Sequence, residues 1–355
     1  MVAALVPPFR GVDSEPVCAR GDARLDRLNL VLDALWRSNQ FQRERWERTG
    51  LRPGPLSSLE DLAAFPLTTR VDFEEDQRLH PPLGTNLTAE RSTYRRVHRT
   101  SGTTRAPLVW PDTTASWRRL LELSEALHRM AGITAEDRIF FALPFGATMG
   151  SWVVFEGAFR LGCALQPGGL ETPDEERRWL LASRPTVIVG SRPRVLTLAA
   201  SLRGVGIDPA SLKTRKIIQA GDPKTDDPSA RQATARAWGA ELFVRYGLTE
   251  AGSVAGECTA HSGGLHVLDE GFIAEVVRPE TGEPLRGGGE GELVLTSLSR
   301  LESPIVRYRT GDLVRLVPRY TCRCGRTGTF LEGGVHRARF RAPEPCSRSA
   351  CEGED

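Results

Sequence analysis

Three stretches of the sequence carry side chains able to grip a nucleotide. The first is Arg99-Thr-Ser-Gly-Thr-Thr-Arg-Ala-Pro107, in which Thr100, Ser101, Gly102, Thr103 and Thr104 form an unbroken run of small residues. Such a loop offers hydroxyls and uncovered backbone N–H groups to a triphosphate, and its glycine lets the backbone come close. It lacks the Gly-Lys-Ser/Thr ending of a Walker A loop, and strands are expected at Tyr94–His98 and Leu108–Trp110, so a polar hairpin loop is the plain alternative. The second stretch, Tyr246-Gly247-Leu-Thr249-Glu250, follows an apolar strand and would sit at its carboxyl end, where open α/β sheets bind ligands. A tyrosine ring can cover a purine, Thr249 can donate to a phosphate and Glu250 can hold Mg²⁺ through oxygen. A structural turn is the alternative here. The third is Arg307-Tyr-Arg-Thr-Gly-Asp312, whose aspartate is suited to accept two ribose hydroxyls or else simply ends a surface turn.

A different chemistry is suggested by Cys322-x-Cys324 beside Gly325. It has the form of half a zinc site, and Cys258 and His266 could complete a closed Cys₃His set, with His261 as the competing imidazole. Plain free thiols are the other reading. Cys18 and Cys163 read as core or incidental, and Cys346 and Cys351 as exposed tail thiols. Neither a Ser/His/Asp arrangement nor a Gly-x-Ser-x-Gly elbow is present, and Gly287-Gly-Gly-Glu-Gly291 reads as a turn.

The elements that must position these residues fall into blocks. Residues 25–48 carry a helical apolar stripe, and a second short helix is expected after Leu56-Ser-Ser-Leu-Glu-Asp-Leu. From about 93, strands (138–143, 186–190, 216–221, 241–246) alternate with amphipathic segments near 114–131, 149–161, 172–183, 192–204 and 226–238. Thr172-Pro-Asp-Glu175 supplies an N-cap, a first-turn proline and a capping box. This alternation predicts an α/β fold, a mostly parallel sheet flanked by helices. After about 255 only short strands separated by Gly/Pro turns are expected. The division is thus a helical segment at 1–92, a nucleotide- and acid-binding α/β core at 93–254, a small β subdomain at 255–335 and an Arg/Pro/Ser-rich tail at 336–355.

The chain has 355 residues, 40% hydrophobic and 26% charged, with a formal charge of +2. This balance does not favour nucleic acid as a partner, and no run of 18 apolar residues suggests a membrane span. The N-terminus makes a poor signal peptide, so the cytoplasm, with its seven cysteines mostly reduced, is the expected compartment. Lysines number three (Lys213, Lys216, Lys224), as a genome preferring arginine codons would give.

The three nucleotide motifs in this order resemble the adenylate-forming (acyl- and aryl-CoA ligase) superfamily, and other stretches resemble its phenylacetate–CoA ligase-like branch. These are Ser57-Ser-Leu-Glu-Asp-Leu-Ala-Ala-Phe-Pro-Leu-Thr-Thr-Arg70, Leu143-Pro-Phe-Gly146, Ala220-Gly-Asp-Pro223, Glu257-Cys through Gly264-Leu-His266, and Cys322-Arg-Cys-Gly-Arg326. The resemblance implies the N-terminal large domain of these enzymes and ATP-dependent activation of a small acid, aryl acids foremost, as acyl-AMP. The acyl group would pass to an amine or to a thiol of CoA or a carrier protein. It implies Thr100 to Thr104 as phosphate loop, Gly221, Asp222 and Pro223 along the adenine, Tyr246 and Gly247 against the base, and Asp312 at the ribose. Thr249 and Glu250 would serve phosphate and Mg²⁺, Phe145 and Gly146 would border the acyl pocket, and Cys258, His266, Cys322 and Cys324 would hold a structural Zn²⁺.

Two departures stand out. Arg105 occupies a position usually glycine and either supplies phosphate charge or distorts the loop. Around the expected hinge, Glu332-Gly-Gly-Val-His-Arg337, the usual Arg and its paired Asp are replaced at about Gly334 and His336, and the 20 residues from 336 hold no lysine. The family's lid lysine then has no counterpart, at a typical cost of two or three orders of magnitude in rate. The expectations are a lid-domain protein acting in trans, direct capture of the adenylate by an amine, or a catalytically impaired nucleotide-binding scaffold. A homodimer is compatible with the sequence.

Overall fold

The apolar stripe of Leu28, Val31, Leu32 and Leu35 winds into α1 (Val17–Ser38). Asn39 interrupts it: in an extended conformation, its side-chain oxygen accepts the N–H of Gln42 and starts α2 (Gln40–Arg48) afresh. The single helix expected over 25–48 is therefore two. A 3₁₀ turn, Leu59–Ala64, stands after Leu56, with the N–H groups of Ser57 and Ser58 both held by Asp61. The periodicity predicts no helix at α3 (Arg70–Leu79), whose capping box joins Thr69 to Asp72 but whose only fully buried apolar side chain is Phe73. The computed structural model describes residues 17–100, 106–169, 172–220, 228–261 and 263–337.

Next come β1 (Tyr94–Arg99) and β2 (Val109–Thr113), an antiparallel hairpin around the hydroxyl-rich loop. The alternating block is α4 (Thr114–Met130), β3 (Arg138–Ala142), α5 (Met149–Leu161), β4 (Ala164–Pro167), α6 (Pro173–Ser183), β5 (Val187–Gly190), α7 (Arg192–Arg203), β6 (Lys216–Gln219), α8 (Pro228–Trp238) and β7 (Glu241–Leu248). Only strands follow among the described residues: β8 (Gly252–Gly256), β9 (Gly264–Val267), β10 (Phe272–Val277), β11 (Gly289–Ser297), β12 (Tyr308–Thr321) and β13 (Thr327–Arg337).

Eleven strands make one mixed sheet in the order β10-β11-β12-β13-β9-β8-β7-β6-β5-β3-β4. Its β7-β6-β5-β3-β4 half is parallel, and every pairing from β7 through β8 to β10 is antiparallel. The α/β class stands: the alternating block supplies the parallel half of the sheet, and the strands from β8 onward continue the same sheet antiparallel. Alternation along the parallel strands divides the core. Phe141, Val189, Ile218 and Phe243 face α4 and α5, while Phe140, Ile188, Ile217 and Leu242 pack with Leu198 and Trp238 under α7 and α8. Burial on both faces is why these strands read as uninterrupted apolar runs. Strand β13 runs past residue 335, with His336 and Arg337 paired to Leu313 and Asp312. No described helix is long and apolar enough to cross a membrane.

Candidate functional site

At the carboxyl end of β7 the chain turns through Thr249 and Glu250 into β8. Gly247 is required there, because a Cβ would stand 2.4 Å from the Gly252 carbonyl oxygen. The hydroxyl of Tyr246 donates to Asp312 Oδ2 at 2.7 Å, which joins the end of β7 to β12. Asp312 follows Gly311, whose φ of 73° is open to glycine at little cost. The turn is pinned as Gly311 N–H donates to Glu292 Oε1 (3.0 Å) and the Thr310 hydroxyl to the Leu293 carbonyl (2.8 Å). Burial, then the neighbouring Asp312 carboxylate, pushes the Tyr246 phenol well above its usual range, so it remains a protonated donor.

Glu250 is 6% exposed and accepts the Tyr308 hydroxyl at 3.3 Å. Arg70 Nη1 lies 3.8 Å from the same carboxylate. The other arm of Arg70 donates to Thr100 Oγ1 (3.3 Å) and to the Ala106 carbonyl (2.8 Å), so one guanidinium spans both ends of the hydroxyl-rich loop. Thr100 closes the neck of that loop: its N–H donates to the Leu108 carbonyl at 2.9 Å, and its hydroxyl accepts the Leu108 N–H at 3.0 Å. Ser101, Gly102, Thr103, Thr104 and Arg105 lie outside the described residues, as do Gly221, Asp222 and Pro223. Ala220, just before the latter three, is held by its N–H on the Gly190 carbonyl at 3.1 Å.

The Thr249–Glu250 turn is fixed from behind by Arg300, which is fully buried. Its Nη1 donates to the carbonyls of Thr249 (2.6 Å) and Glu250 (3.1 Å), its Nε donates to Asp112 Oδ1 at 2.9 Å, and its Nη2 to Asp112 Oδ2. Phe145 and Gly146 lie in the β3–α5 loop. The Phe145 ring packs edge-on against Trp152 (5.1 Å) and Phe155 (5.2 Å), and the Gly146 carbonyl accepts the Trp152 indole N–H at 2.9 Å. Arg99, next to Thr100, donates its N–H to Ala147 at 2.9 Å, which sets this aromatic corner beside the loop neck.

The sequence alone assigns no role to Arg70, Tyr308, Arg300 or Asp112. Arg70 and Tyr308 stand inside quoted motifs, but no local spacing tells that they meet Glu250. Asp112 gave one signal: a carboxylate in a short, otherwise buried strand, whose partner is 188 residues away.

On the far side of β8, the donor atoms of Cys258, His266, Cys322 and Cys324 all lie within 4.8 Å of one another. Cys258 Sγ is 3.7 Å from Cys322 Sγ, and Cys324 Sγ 3.7 Å from His266 Nε2. A tetrahedral zinc with ordinary bond lengths needs about 3.8 Å between sulfurs and about 3.6 Å from sulfur to nitrogen, so the residues fit the ion. Burial, with Arg326 adding to it, draws His266 down to about 4, keeping its imidazole neutral. Burial, followed by its thiol neighbours, raises Cys324 to about 11, a shift a bound cation would reverse. His261 is turned away, its ring 4.5 Å from that of Phe243. Cys163 is buried with its thiol on the Thr134 carbonyl, and Cys346 and Cys351 are outside the described residues.

No family model matches the sequence. The chain is 32% identical over 317 residues to the phenylacetate–coenzyme A ligase of Pseudomonas putida, an alignment covering 89% of this chain and 70% of that protein. It is 31% identical over 308 residues to the phenylacetate–coenzyme A ligase of Thermus thermophilus, covering 85% and 66%. Among solved structures, 2-hydroxyisobutyryl-CoA ligase in complex with 2-HIB-AMP and CoA matches with a TM-score of 0.86 and 28% identity, over 91% of this chain and 69% of that one.

Proposed function

This chain belongs to the phenylacetate–CoA ligase family of adenylate-forming enzymes, and from that premise we propose that it activates a small carboxylic acid with ATP. A carboxylate oxygen of the acid attacks the α-phosphorus, pyrophosphate leaves, and acyl-AMP forms. A thiol of CoA or a carrier protein, or an amine, then attacks the acyl carbon and AMP departs. The observation that carries this reading is convergence. Thr100, Arg70 and Glu250 form one chain of contacts, and Tyr246 touches Asp312, 66 residues away, at the carboxyl end of β7.

Such chemistry asks for placement and charge stabilisation rather than a protein nucleophile. In this reading Tyr246 lies against the adenine and Asp312 takes the ribose. Thr100 to Thr104, Thr249 and the guanidinium groups of Arg70 and Arg105 receive the phosphates. Glu250 would hold Mg²⁺, which supplies charge neutralisation when bound. Gly221, Asp222 and Pro223 line the base, and Phe145 and Gly146 border the acyl pocket, where an aromatic corner suits an aryl acid. Pyrophosphate exchange with a panel of aryl and short aliphatic acids tests the reading, with and without candidate lid proteins. Exchange dependent on one acid class supports it, and silence throughout overturns it.

Cys258, His266, Cys322 and Cys324 would bind a structural Zn²⁺ that staples the 258–266 segment to the β12–β13 turn. Elemental analysis of the purified protein should give one zinc per chain. Stripping it should lower the melting temperature and leave the nucleotide affinity of the remaining folded protein within a few-fold.

A further inference from the structure

Arg245 stands on β7 one residue before Tyr246, 8% exposed, and among the described residues no carboxylate pairs with it. Its Nη2 donates to Ser124 Oγ (3.0 Å) and Ser253 Oγ (2.7 Å), and its Nη1 lies 3.4 Å from His128 Nε2. That nitrogen is 2.9 Å from the Val154 carbonyl, which assigns it the proton and leaves no lone pair for the guanidinium. The buried Nδ1 of His128 has no hydrogen-bond partner among the described residues. Burial, with Arg245 adding to it, draws this imidazole down to about 3, so it stays neutral and offers no compensating charge.

A guanidinium taken out of water without a counter-charge is expensive, and so is an orphaned ring nitrogen. The expense is concentrated in one place. Side chains alternate along β7, so Arg245 faces the α4–α5 layer, as Phe243 does, while Tyr246 faces away from it. The same layer holds Phe141, Phe145 and Phe155, the aromatic corner assigned above to the acyl pocket.

We propose that Arg245, with Ser124, Ser253 and His128, forms a polar subsite at the inner end of the acyl pocket, one that recognises an oxygen acceptor, a carboxylate above all, on the far end of the acid. The inference rests on the adenylation reading and narrows it to acids with a second polar terminus. An acceptor there would take the Nη1 donors of Arg245, which find no acceptor in His128, and the protons of the two serine hydroxyls.

Matched acids test it in pyrophosphate exchange: phenylacetate, 4-hydroxyphenylacetate and 4-carboxyphenylacetate, and butyrate against succinate. The wild type should favour the acceptor-bearing member of a set by about 10- to 100-fold in kcat/KM, the worth of a charge-assisted hydrogen bond. Arg245→Met should bring that preference close to one and leave the unsubstituted parent within about three-fold, while Arg245→Lys should restore part of it. The wild-type arm needs no variant to fold, and circular dichroism melts check the two that are made. Exchange with the parents but no preference in the wild type, or a preference that survives Arg245→Met, overturns the subsite alone. Absence of exchange with every acid overturns the activation reading and the subsite with it.

Discussion

Two buried arginines stand on either side of Tyr246-Gly-Leu-Thr-Glu250, and their surroundings are opposite. Arg300 is sealed from solvent with its charge answered by Asp112 and its Nη1 donors spent on the carbonyls of Thr249 and Glu250, and its guanidinium lies 5.6 Å from the Trp110 ring. Arg245 meets two hydroxyls and a neutral imidazole. The first is a finished piece of architecture that holds the turn carrying Glu250. The second keeps electrostatic demand in reserve, as a group does when its partner comes from outside the chain.

The sharpest way to break this comparison is to remove Arg300. Arg300→Met strands the Asp112 carboxylate inside the protein and should cost about 3–5 kcal/mol, read as a lowered denaturation midpoint. The double variant Arg300→Met/Asp112→Leu should recover part of that loss, because no charge is then left alone. Arg245→Met, which strands no charge, should leave the midpoint unchanged or raise it.

Glu250→Gln changes the held residue instead of its holder. Pyrophosphate exchange should fall by about two to three orders of magnitude with little change in the melt. Equal loss of fold and activity would mean that Glu250 serves the turn and not the nucleotide.

The reserve side also titrates. The unfolded chain protonates His128 near its ordinary value of 6.5, whereas the folded protein holds it down to about 3. The contribution is fully present above 6.5 and is lost as the pH falls from 6.5 toward 3, because only the unfolded state gains the proton. Each unit is worth about 1.4 kcal/mol. Urea denaturation at pH 7 and pH 4.5 should show a smaller loss in His128→Gln than in the wild type.

Tyr246→Phe should have the smallest effect. It deletes one hydrogen bond to Asp312, worth about 1 kcal/mol. The KM for ATP should rise a few-fold and kcat stay nearly constant.

Legibility varied with how local the signal was. The Thr172–Glu175 capping box forms as written, with Glu175 accepting both the hydroxyl and the N–H of Thr172. The strands flanking the hydroxyl-rich loop were legible, and so were four of the five parallel strands (β3, β5, β6 and β7), because burial on both faces leaves an apolar run; β4, with its ends exposed, leaves none. The α3 helix was missed because one buried phenylalanine makes no periodicity, and the break at Asn39 because a cap residue inside a helical stripe looks like any polar position. The Cys/His set was legible as residue types, and the choice of His266 over His261 is supported by a ring placement that spacing cannot give.

By itself the sequence determined the α/β alternation, the switch to strands after 255 and the three motifs of the proposed nucleotide site, since periodicity, caps and glycine turns act over a few residues. Only the tertiary structure decided that Arg70 bridges Thr100 to Glu250, that Asp112 answers Arg300, and that no carboxylate among the described residues answers Arg245. Those facts depend on which side chains from distant strands share a low-dielectric interior, where an ion's cost is set by its neighbours in space and no local pattern records them.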